Sequence, residues 1–394
     1  MLKQTLGIIL AGKRGDEENP LTINRPKAAI PFGGKYRIVD FALSNGLNSG
    51  LRRMLVLTQY KSHSLHKHLR DGWSIFNPEL GEYITAVPPQ MRTGDFWYRG
   101  SADALLQNLY LIERSGSQEV IVMPGDHIYR MDVAPAIQFH RDNNAAITVV
   151  TASMSTSAWQ IGSDEQHKIT KFSSLAENQE TSTITAPTGI YIFTTNYLIE
   201  LLNTKPEDQQ QTLEELVAPL VEKQVVYSYS FGGKEGRVSQ DQYWQDIHTA
   251  DDYYRASMDL LKYKPPLDLH QANWPIRSYI GQYPPARTAP GQTGNEGIFI
   301  NSIIGAGSVV TGASIQTSVL FNNVRIDDES MVENSIIFDN VKIGKRCQLR
   351  NCIIDKNVCL PADTIVDASS KNLPADWYIT KNGIVVVTGN LKAI

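Results

Sequence analysis

Apolar runs of strand length alternate with helix-like patterns along the chain up to residue 249. The strand-like runs lie at residues 6–11, 54–58, 120–123, 146–151 and 189–193. In segment 101–115, Leu105, Leu109 and Ile112 recur at i, i+4 and i+7, which predicts a helix with Ser101 as its N-cap. This alternation is typical of an α/β domain with a parallel sheet and covering helices.

A second pattern, with a period of 17 residues, follows residue 296. The aliphatic positions form three triplets with steps of six, six and five residues: Leu320, Ile326 and Val332; Ile337, Ile343 and Leu349; Ile354, Leu360 and Val366. A neighbouring column has the same period: Val319, Ile336 and Ile353. Ile304 and Val310 indicate one earlier coil. Three short strands per coil, stacked so that successive coils share one core, predict a parallel β-helix.

The segment between the two patterns is rich in Pro, Gln, Gly and Tyr. Proline pairs at 265–266 and 284–285 make regular elements unfavourable over residues 262–293. We therefore divide the 394-residue chain into an α/β domain at 1–250, a linker at 251–296 and a β-helix domain at 297–394.

Composition and charge exclude several classes of function. With 42% hydrophobic and 20% charged residues, the chain has an ordinary globular composition. A net charge of −4 argues against a nucleic-acid or anionic-membrane partner. The apolar run in residues 1–12 is too short to span a membrane and lacks a cleavage signal, so a cytoplasmic location is expected.

Cysteine and histidine positions limit the chemistry of the β-helix. Cys347, Cys352 and Cys359 have no fourth ligand or nearby His, so we interpret them as buried structural thiols and not as a zinc site. All eight His residues lie at or before His270. The repeat therefore lacks the histidine that an acyltransferase site between coils would need.

The first predicted strand leads into a glycine-bearing turn. Gly12 and Gly15 follow the strand, and basic residues follow the glycines. In a parallel sheet this turn lies at the edge where nucleotide phosphates bind. The glycines alone are weak evidence, because such turns are common.

Six further blocks carry a family resemblance. They are PFGGKYRIVDFALSN at 31–45, TQYKSHSL at 58–65, WYRGSADA at 97–104, GDHIY at 125–129, YWQDIHT at 243–249 and NWPIRSY at 273–279. With these blocks in order before a β-helix, the chain resembles the ADP-glucose pyrophosphorylases, the glucose-1-phosphate adenylyltransferases of glycogen and starch synthesis. The resemblance implies a Rossmann-like nucleotidyltransferase domain, a left-handed β-helix, a tetramer, and Mg²⁺-dependent synthesis of ADP-glucose and pyrophosphate from ATP and glucose 1-phosphate.

The resemblance also implies roles for individual residues. Asp126 and Asp246 match the metal-binding aspartates of the family. The positions matching nucleotide or substrate contacts are Gly12, Gly15, Lys27, Gln59, Trp97, Tyr98, Arg99 and Gly100. Arg25, Arg37 and Arg114 match positions near the effector site, whereas the family's activator lysine matches Asn24.

The turn departs from the family pattern where that pattern has an essential arginine. Aligning residues 20–22 with the family's Pro-Leu-Thr puts Glu17 at the arginine and Lys13 at a glycine, with Asp16 and Glu18 beside Glu17. A unit charge of opposite sign at about 4 Å contributes roughly 4 kcal/mol at an effective dielectric constant near 20. Phosphoryl transfer depends on neutralising negative charge, so this reversal opposes catalysis.

A second departure affects the position expected to bind the sugar phosphate. Ser174 and Leu175 stand where the family has Glu and Lys. Trp159, Pro187 and His248 replace a Gly, a Ser and a Gly, which adds bulk where substrate would need space.

These departures favour a catalytically disabled member of the family. We expect a regulatory subunit that binds a nucleotide or sugar phosphate and assembles as a homo- or hetero-tetramer with a catalytic paralogue. One alternative is an active adenylyltransferase in which Arg14 or Lys13 compensates for the lost arginine. The other is a free-standing sensor of sugar phosphates or nucleotides.

Overall fold

The computed structural model describes residues 2–15, 19–90, 97–154, 157–175, 183–204, 212–223, 225–232, 238, 243–292, 294–370 and 373–389. Residue contacts divide the chain into two compact units. The first comprises Met1–Lys13, Val39–Trp244 and His270–Arg277, and the second comprises Arg14–Ile38, Gln245–Leu269 and Ser278–Ile394.

The helices and the first thirteen strands have the following bounds. The helices are α1 Val39–Ser49, α2 His63–Trp73, α3 Ser101–Gln107, α4 Leu109–Ser115, α5 Ala134–Asp142, α6 Thr195–Asn203, α7 Leu213–Val217 and α8 Ala250–Asp259. The strands are β1 Thr5–Leu10, β2 Pro31–Phe32, β3 Tyr36–Arg37, β4 Arg53–Leu57, β5 Tyr83–Val87, β6 Glu119–Pro124, β7 His127–Tyr129, β8 Ile147–Met154, β9 Trp159–Ser163, β10 Ile169–Ser174, β11 Ile184–Thr194, β12 Val226–Ser230 and β13 Trp244–Asp246. None of the helices in the described ranges has the length and apolar character needed to cross a membrane.

A seven-stranded sheet in the order β12-β8-β11-β6-β1-β4-β5 organises the first unit. Strands β1, β4 and β6 pair in parallel, as the apolar runs predict, and β5, which no predicted run covers, pairs in parallel with β4. The prediction of a parallel sheet does not hold for β11, which runs antiparallel to both β6 and β8. The reason is the connection: β11 follows the antiparallel hairpin β9–β10, whereas a parallel neighbour normally follows a crossover helix.

The predicted helix at 101–115 is broken into α3 and α4 at Asn108. The Asn108 side chain donates to the carbonyl oxygen of Ala104 at 2.8 Å, which competes with the helical backbone pattern. Ser101 is not the N-cap as predicted. Gly100 takes that position, and the Ser101 hydroxyl accepts a hydrogen bond from the Leu213 backbone N–H at 2.8 Å.

The second unit contains the β-helix. Its strands are β14 Arg287–Ala289, β15 Ile298–Ile300, β16 Ile303–Ile304, β17 Val309–Thr311, β18 Ser314–Gln316, β19 Val319–Leu320, β20 Arg325–Ile326, β21 Met331–Glu333, β22 Ile336–Ile337, β23 Lys342–Ile343, β24 Gln348–Arg350, β25 Cys352–Ile354, β26 Cys359–Leu360, β27 Ile365–Val366, β28 Tyr378–Ile379 and β29 Val385–Val387. Three sheets form its faces, and the strands pair in parallel apart from the antiparallel pair β28–β29. This is the left-handed β-helix architecture.

The pairing register confirms the 17-residue columns. Leu320 pairs with Ile337, which pairs with Ile354, and the other two columns align in the same way. Their side chains form one buried cluster. Outside the core, Asn323, Asn340 and Asn357 occupy successive corners with φ between 56° and 62°, and their side-chain amides form a hydrogen-bonded ladder.

Two expectations for this region need correction. Strand β14 lies within the segment predicted to lack regular elements, because it pairs with β17 as part of the first coil. Cys347 and Cys352 are buried free thiols, as predicted, but Cys359 is exposed. It is the outward residue of β26, next to the inward Leu360, as the two-residue alternation of a strand requires.

The second unit also contains two segments from the first 269 residues. The Tyr253 hydroxyl of α8 donates to the Pro31 carbonyl oxygen at 2.7 Å, and its ring makes edge contacts with Phe32 and Phe338. The predicted domain boundaries at residues 250 and 296 therefore differ from the division by residue contacts, which places Arg14–Ile38 in the same unit as the β-helix.

Candidate functional site

The turn after β1 is fixed by Gln59 in the first unit. A Cβ atom on Gly12 would lie 3.0 Å from the Cβ of Gln59, so position 12 requires glycine for this close approach. The Gln59 side chain binds the backbone of Tyr98 at both ends. Its Oε1 accepts from the Tyr98 N–H at 2.6 Å, and its Nε2 donates to the Tyr98 carbonyl oxygen at 3.3 Å. The structure therefore brings Gly12, Gln59 and Tyr98 together.

The segment of Trp97, Tyr98, Arg99 and Gly100 leads into α3. Asp103 Oδ2 accepts a hydrogen bond from the Arg99 backbone N–H at 2.8 Å, which fixes the entry to the helix. Trp97 is 52% exposed. Burial raises the pKa of the Tyr98 phenol, and a hydrogen bond from the Asn108 side chain opposes this shift. The segment thus presents an exposed indole on a fixed backbone.

Asp126 follows the end of β6 and is buried. Gly125 before it permits close packing on β1, because a Cβ there would lie 2.8 Å from the Ile9 side chain. His127 Nε2 lies 3.7 Å from Asp126 Oδ1, and the His127 ring makes an edge contact with Trp244. The sequence did not single out His127, although it adjoins a predicted metal ligand.

The segment matched to the sugar-phosphate position lies at the end of β10. Ser174 is exposed and pairs with Trp159 of β9, while the Leu175 N–H donates to the Ala158 carbonyl oxygen at 2.8 Å. The Trp159 ring packs edge-on against Phe172 with centroids 5.5 Å apart. An indole therefore lies beside the segment in which the sequence predicts the two substitutions. Pro187 lies on β11, where it is the register partner of Thr151 on β8.

Gly15, Lys27, Asp246 and His248 belong to the second unit. Gly15 has φ +83°, and a Cβ there would lie 2.9 Å from the Thr22 side chain and 3.1 Å from Lys27 Cγ. Lys27 is 1% exposed, and its Nζ lies 2.9 Å from Asp246 Oδ1. His248 Nε2 lies 2.9 Å from Asp246 Oδ2.

The pairing of Asp246 bears on metal binding. Mg²⁺ binds carboxylate oxygens directly at about 2.0–2.1 Å. Each oxygen of Asp246 instead contacts a side-chain nitrogen of this chain. A metal ion at Asp246 would therefore have to displace one of these nitrogens, and the role of Asp246 as a metal ligand stays a prediction.

A cluster of charged side chains surrounds Arg25 in the second unit. Arg25 Nη2 donates to both oxygens of Asp355, at 2.8 and 2.7 Å. Lys356 Nζ lies 3.0 Å from Asp339 Oδ2. Burial lowers the pKa of Lys356; Asp339 opposes this shift, and the positive charges of Arg37 and Arg25 add to it. The cluster therefore holds three cations and two carboxylates.

Arg114 is exposed in the last turn of α4 in the first unit. It lines a cavity of about 580 Å³ together with Arg53, Tyr83 and Tyr110. The cavity joins two guanidinium groups to two aromatic rings. This is a suitable environment for an anionic ligand that carries a planar ring.

Comparison with known proteins gives the family. The Nucleotidyl transferase family model matches residues 6–263, and the model of the GlmU-like C-terminal hexapeptide domain matches residues 284–387. Glucose-1-phosphate adenylyltransferase 2 of Vibrio parahaemolyticus is 50% identical over 398 residues, covering 98% of both chains. The chain belongs to the glucose-1-phosphate adenylyltransferase family.

Other members of the glucose-1-phosphate adenylyltransferase family are similar over nearly the whole chain. Glucose-1-phosphate adenylyltransferase 2 of Vibrio cholerae is 47% identical, covering 98% of both chains. Glucose-1-phosphate adenylyltransferase of Koribacter versatilis is 37% identical, covering 98% of this chain and 95% of the relative. The resemblance inferred from the sequence blocks is confirmed.

Some of the family positions predicted from the sequence cannot be placed. Asp16, Glu17 and Glu18 lie outside the described residues, so the charge reversal at the essential arginine stays a sequence prediction. Lys13 and Asn24 are described, and both are exposed.

Sequence reasoning missed the partners of the predicted effector residues in this adenylyltransferase relative. Asp355 and Lys356 were not singled out, although they lie beside Arg25. They follow Ile353 and Ile354 at the end of strand β25. The 17-residue repeat identifies only the inward-facing aliphatic residues of such strands and gives no information about the polar residues that follow them. Nothing in the 17-residue pattern indicates that residues 25 and 355 pair.

Proposed function

We propose that the chain is a non-catalytic regulatory subunit of glucose-1-phosphate adenylyltransferase that assembles as a homo- or hetero-tetramer with a catalytic paralogue. The observation that carries this proposal is the environment of Ser174 and Leu175. By the sequence match, Leu175 stands where the family has a lysine for the sugar phosphate. Trp159 lies beside the same segment. Neither a serine hydroxyl nor a leucine side chain can neutralise a phosphate.

The sequence supports a second, independent loss of charge. Glu17 matches the essential arginine of the family's phosphate turn. Catalysis of phosphoryl transfer rests largely on positioning and on preorganised positive charge. Loss of one cation at each substrate would reduce the rate by several decades, because about 1.4 kcal/mol corresponds to a factor of ten.

Ligand binding is a separate property that this chain can retain. We propose that Gly12 and Gln59 of the first unit, with the segment of Trp97, Tyr98, Arg99 and Gly100, contribute to binding a nucleotide. The two hydrogen bonds of the Gln59 side chain to the Tyr98 backbone and the close approach at Gly12 support this role. The family resemblance implies Mg²⁺, and the buried carboxylate of Asp126 is consistent with a ligand for it.

We also propose that the regulatory ligand carries phosphate groups. Arg25 Nη1 is buried without a hydrogen-bond acceptor among the described residues, although Nη2 is paired with Asp355. Arg37 and Lys356 add positive charge nearby. Arg114 belongs to the separate cavity with aromatic walls. A ligand that bound at either place more tightly in one state of the assembly would shift the equilibrium of the whole assembly, including the catalytic partner, toward that state.

The test is ADP-glucose synthesis by the pure chain, alone and mixed with a catalytic glucose-1-phosphate adenylyltransferase from the same genome. We expect no turnover alone, co-purification with the catalytic chain, and a changed response of the mixture to phosphate ligands. Turnover alone at ordinary enzyme rates would refute the proposal. Absence of any complex would favour the free-standing sensor.

Two variants separate loss of charge from loss of space. Glu17→Arg with Leu175→Lys restores both family cations, and we expect measurable ADP-glucose synthesis if only charge was lost. Adding Trp159→Gly should be required if the indole blocks the substrate. Leu175→Met is the matched control, because it keeps an uncharged side chain of similar size.

The second candidate function is catalysis by the chain itself. It is favoured by relatives at 50% identity that carry the name glucose-1-phosphate adenylyltransferase 2. The assay of the pure chain distinguishes the two candidates directly.

A further inference from the structure

The carboxylate of Asp246 is held between two side chains of the second unit. Lys27 Nζ contacts Oδ1 and His248 Nε2 contacts Oδ2, each at 2.9 Å. The two oxygens therefore have separate nitrogen partners. The carboxylate is 14% exposed, so solvent screens these contacts only in part.

The lysine partner cannot move away without cost. Lys27 is 1% exposed and lies at the start of a short 3₁₀ turn, Lys27–Ala29, whose residues are all buried. An ammonium group in such a place requires a compensating carboxylate, and separating the two would leave a buried charge uncompensated. Asp246 is thus already neutralised by a resident cation.

The histidine partner is fixed at its backbone. The Asn19 side chain donates to the His248 carbonyl oxygen at 3.1 Å, and Ile247 between the two site residues is fully buried. His248 lies two residues beyond Asp246, the last residue of β13, and its side chain contacts that carboxylate. The His248 side chain is 56% exposed, yet its Nε2 points at Asp246.

A divalent cation would have to displace this arrangement. A metal ion at about 2 Å from Oδ2 would compete with the imidazole for the same oxygen. At Oδ1 it would lie next to the Lys27 ammonium, which repels it. A glycine at position 248, as in the family pattern, would leave Oδ2 accessible.

We propose that His248 takes the place of a divalent cation at Asp246, so that this chain binds such cations weakly at this residue. His248 is then a specificity-determining residue whose imidazole occupies Asp246 Oδ2, so that contacts among Lys27, Asp246 and His248 replace a metal complex. This deepens the proposed function, since it adds a third, separate reason for absent catalysis.

The experiment measures Mn²⁺ binding to the full chain without nucleotide, by electron paramagnetic resonance of free Mn²⁺ and by titration calorimetry. We expect His248→Ala and His248→Gly to bind one Mn²⁺ about 10- to 100-fold more tightly than the unmodified chain, the factor that one hydrogen bond to a charged group represents. His248→Lys, which keeps a nitrogen donor that can contact the same oxygen, should bind as weakly as the unmodified chain.

Three controls assign the effect. His270→Ala removes another exposed imidazole and should leave Mn²⁺ binding unchanged. Asp246→Asn in the His248→Ala chain should abolish the gain. Circular dichroism verifies that each variant is folded, and the comparison of His248→Ala with His248→Lys decides the question even if Asp246→Asn is unstable.

Equal Mn²⁺ affinity of the unmodified chain and His248→Ala would overturn the proposal, as would tight binding by His248→Lys. The readout is independent of turnover. An inactive chain that binds Mn²⁺ tightly would refute this inference and leave the regulatory subunit standing, whereas an active chain would refute the proposed function.

Discussion

The Arg25–Asp355 pair allows a quantitative prediction about the second unit. Both side chains are nearly buried, with exposed fractions of 11% and 6%, and Arg25 donates two hydrogen bonds of 2.8 and 2.7 Å. Asp355→Asn removes the carboxylate charge and leaves the guanidinium in the same place. Breaking a buried ion pair on one side costs about 3–5 kcal/mol.

The structure places the expected cost at the lower end of this range. An asparagine oxygen can still accept one hydrogen bond from Arg25, and it can keep the bond from the Lys356 backbone N–H at 2.7 Å. We therefore expect a loss of about 3 kcal/mol in the free energy of unfolding. For a unit of 150–250 residues this lowers the melting temperature by roughly 6–12 °C.

The chain contains a matched control for this variant. Arg346 and Asp363 form the same two-bond arrangement, at 2.7 and 2.8 Å, but both side chains are exposed. Asp363→Asn should leave the melting temperature nearly unchanged, because exposed ion pairs contribute little. Melting is followed by far-ultraviolet circular dichroism at equal protein concentration and ionic strength.

The two variants should also differ in their response to anions. Asp355→Asn removes the carboxylate charge that neutralises the Arg25 guanidinium, so inorganic phosphate should raise the melting temperature of this variant more than that of Asp363→Asn. Equal destabilisation by the two variants would refute the reasoning from burial. No destabilisation by Asp355→Asn would show that Arg25 does not depend on this carboxylate.

Three further predictions concern stability. Burial lowers the pKa of His140 to about 4, below its unfolded value of 6.5. The stability that depends on a neutral His140 is therefore complete above pH 6.5 and is lost as the pH falls toward 4. The free energy of unfolding in urea should vary less with pH over this range for His140→Gln than for the unmodified chain. Ile337→Ala should cost about 2–5 kcal/mol in denaturant unfolding because Ile337 is fully buried in a core column, whereas Met331→Ala, at a 40% exposed position, should cost far less. Gly15→Ala should destabilise more than Gly81→Ala in thermal melts, because both glycines have positive φ but only position 15 is crowded; equal effects would contradict the crowding.

The sequence predicts the β-helix well because the interior columns repeat at a constant period. Each coil places an aliphatic residue at the same three positions, so Leu320, Ile337 and Ile354 could be assigned to one column before any contact was known. The same reasoning identified four parallel strands of the first unit. This reasoning is least informative where the direction of a strand depends on the segment that connects it to the previous strand. The apolar pattern of β11, for example, is the same whether the strand runs parallel or antiparallel to β6.

The candidate site was predictable to the extent that the family blocks cover it. Gln59 and Tyr98 lie 39 residues apart and meet. Both were matched to nucleotide or substrate contacts of the family, a role that stays a prediction. The partners that modify these roles were not predictable. Contacts such as Asp246 with His248 or Arg25 with Asp355 depend on side-chain direction and on the packing of distant segments, and no local pattern encodes them. The acidic run at 16–18 stays a prediction.

The constant period of the β-helix limits how this part of the gene can change. Removing one residue from a core strand would turn every later inward position of that coil outward, while removing a full 17-residue coil would join two equivalent cross-sections. Single additions at left-handed corners, such as those at Asn323, Asn340 and Asn357, should disturb the inward side chains least. Length variation in natural relatives should therefore occur in whole coils or at corners. Insertions or deletions of single residues within a core strand should be eliminated by selection.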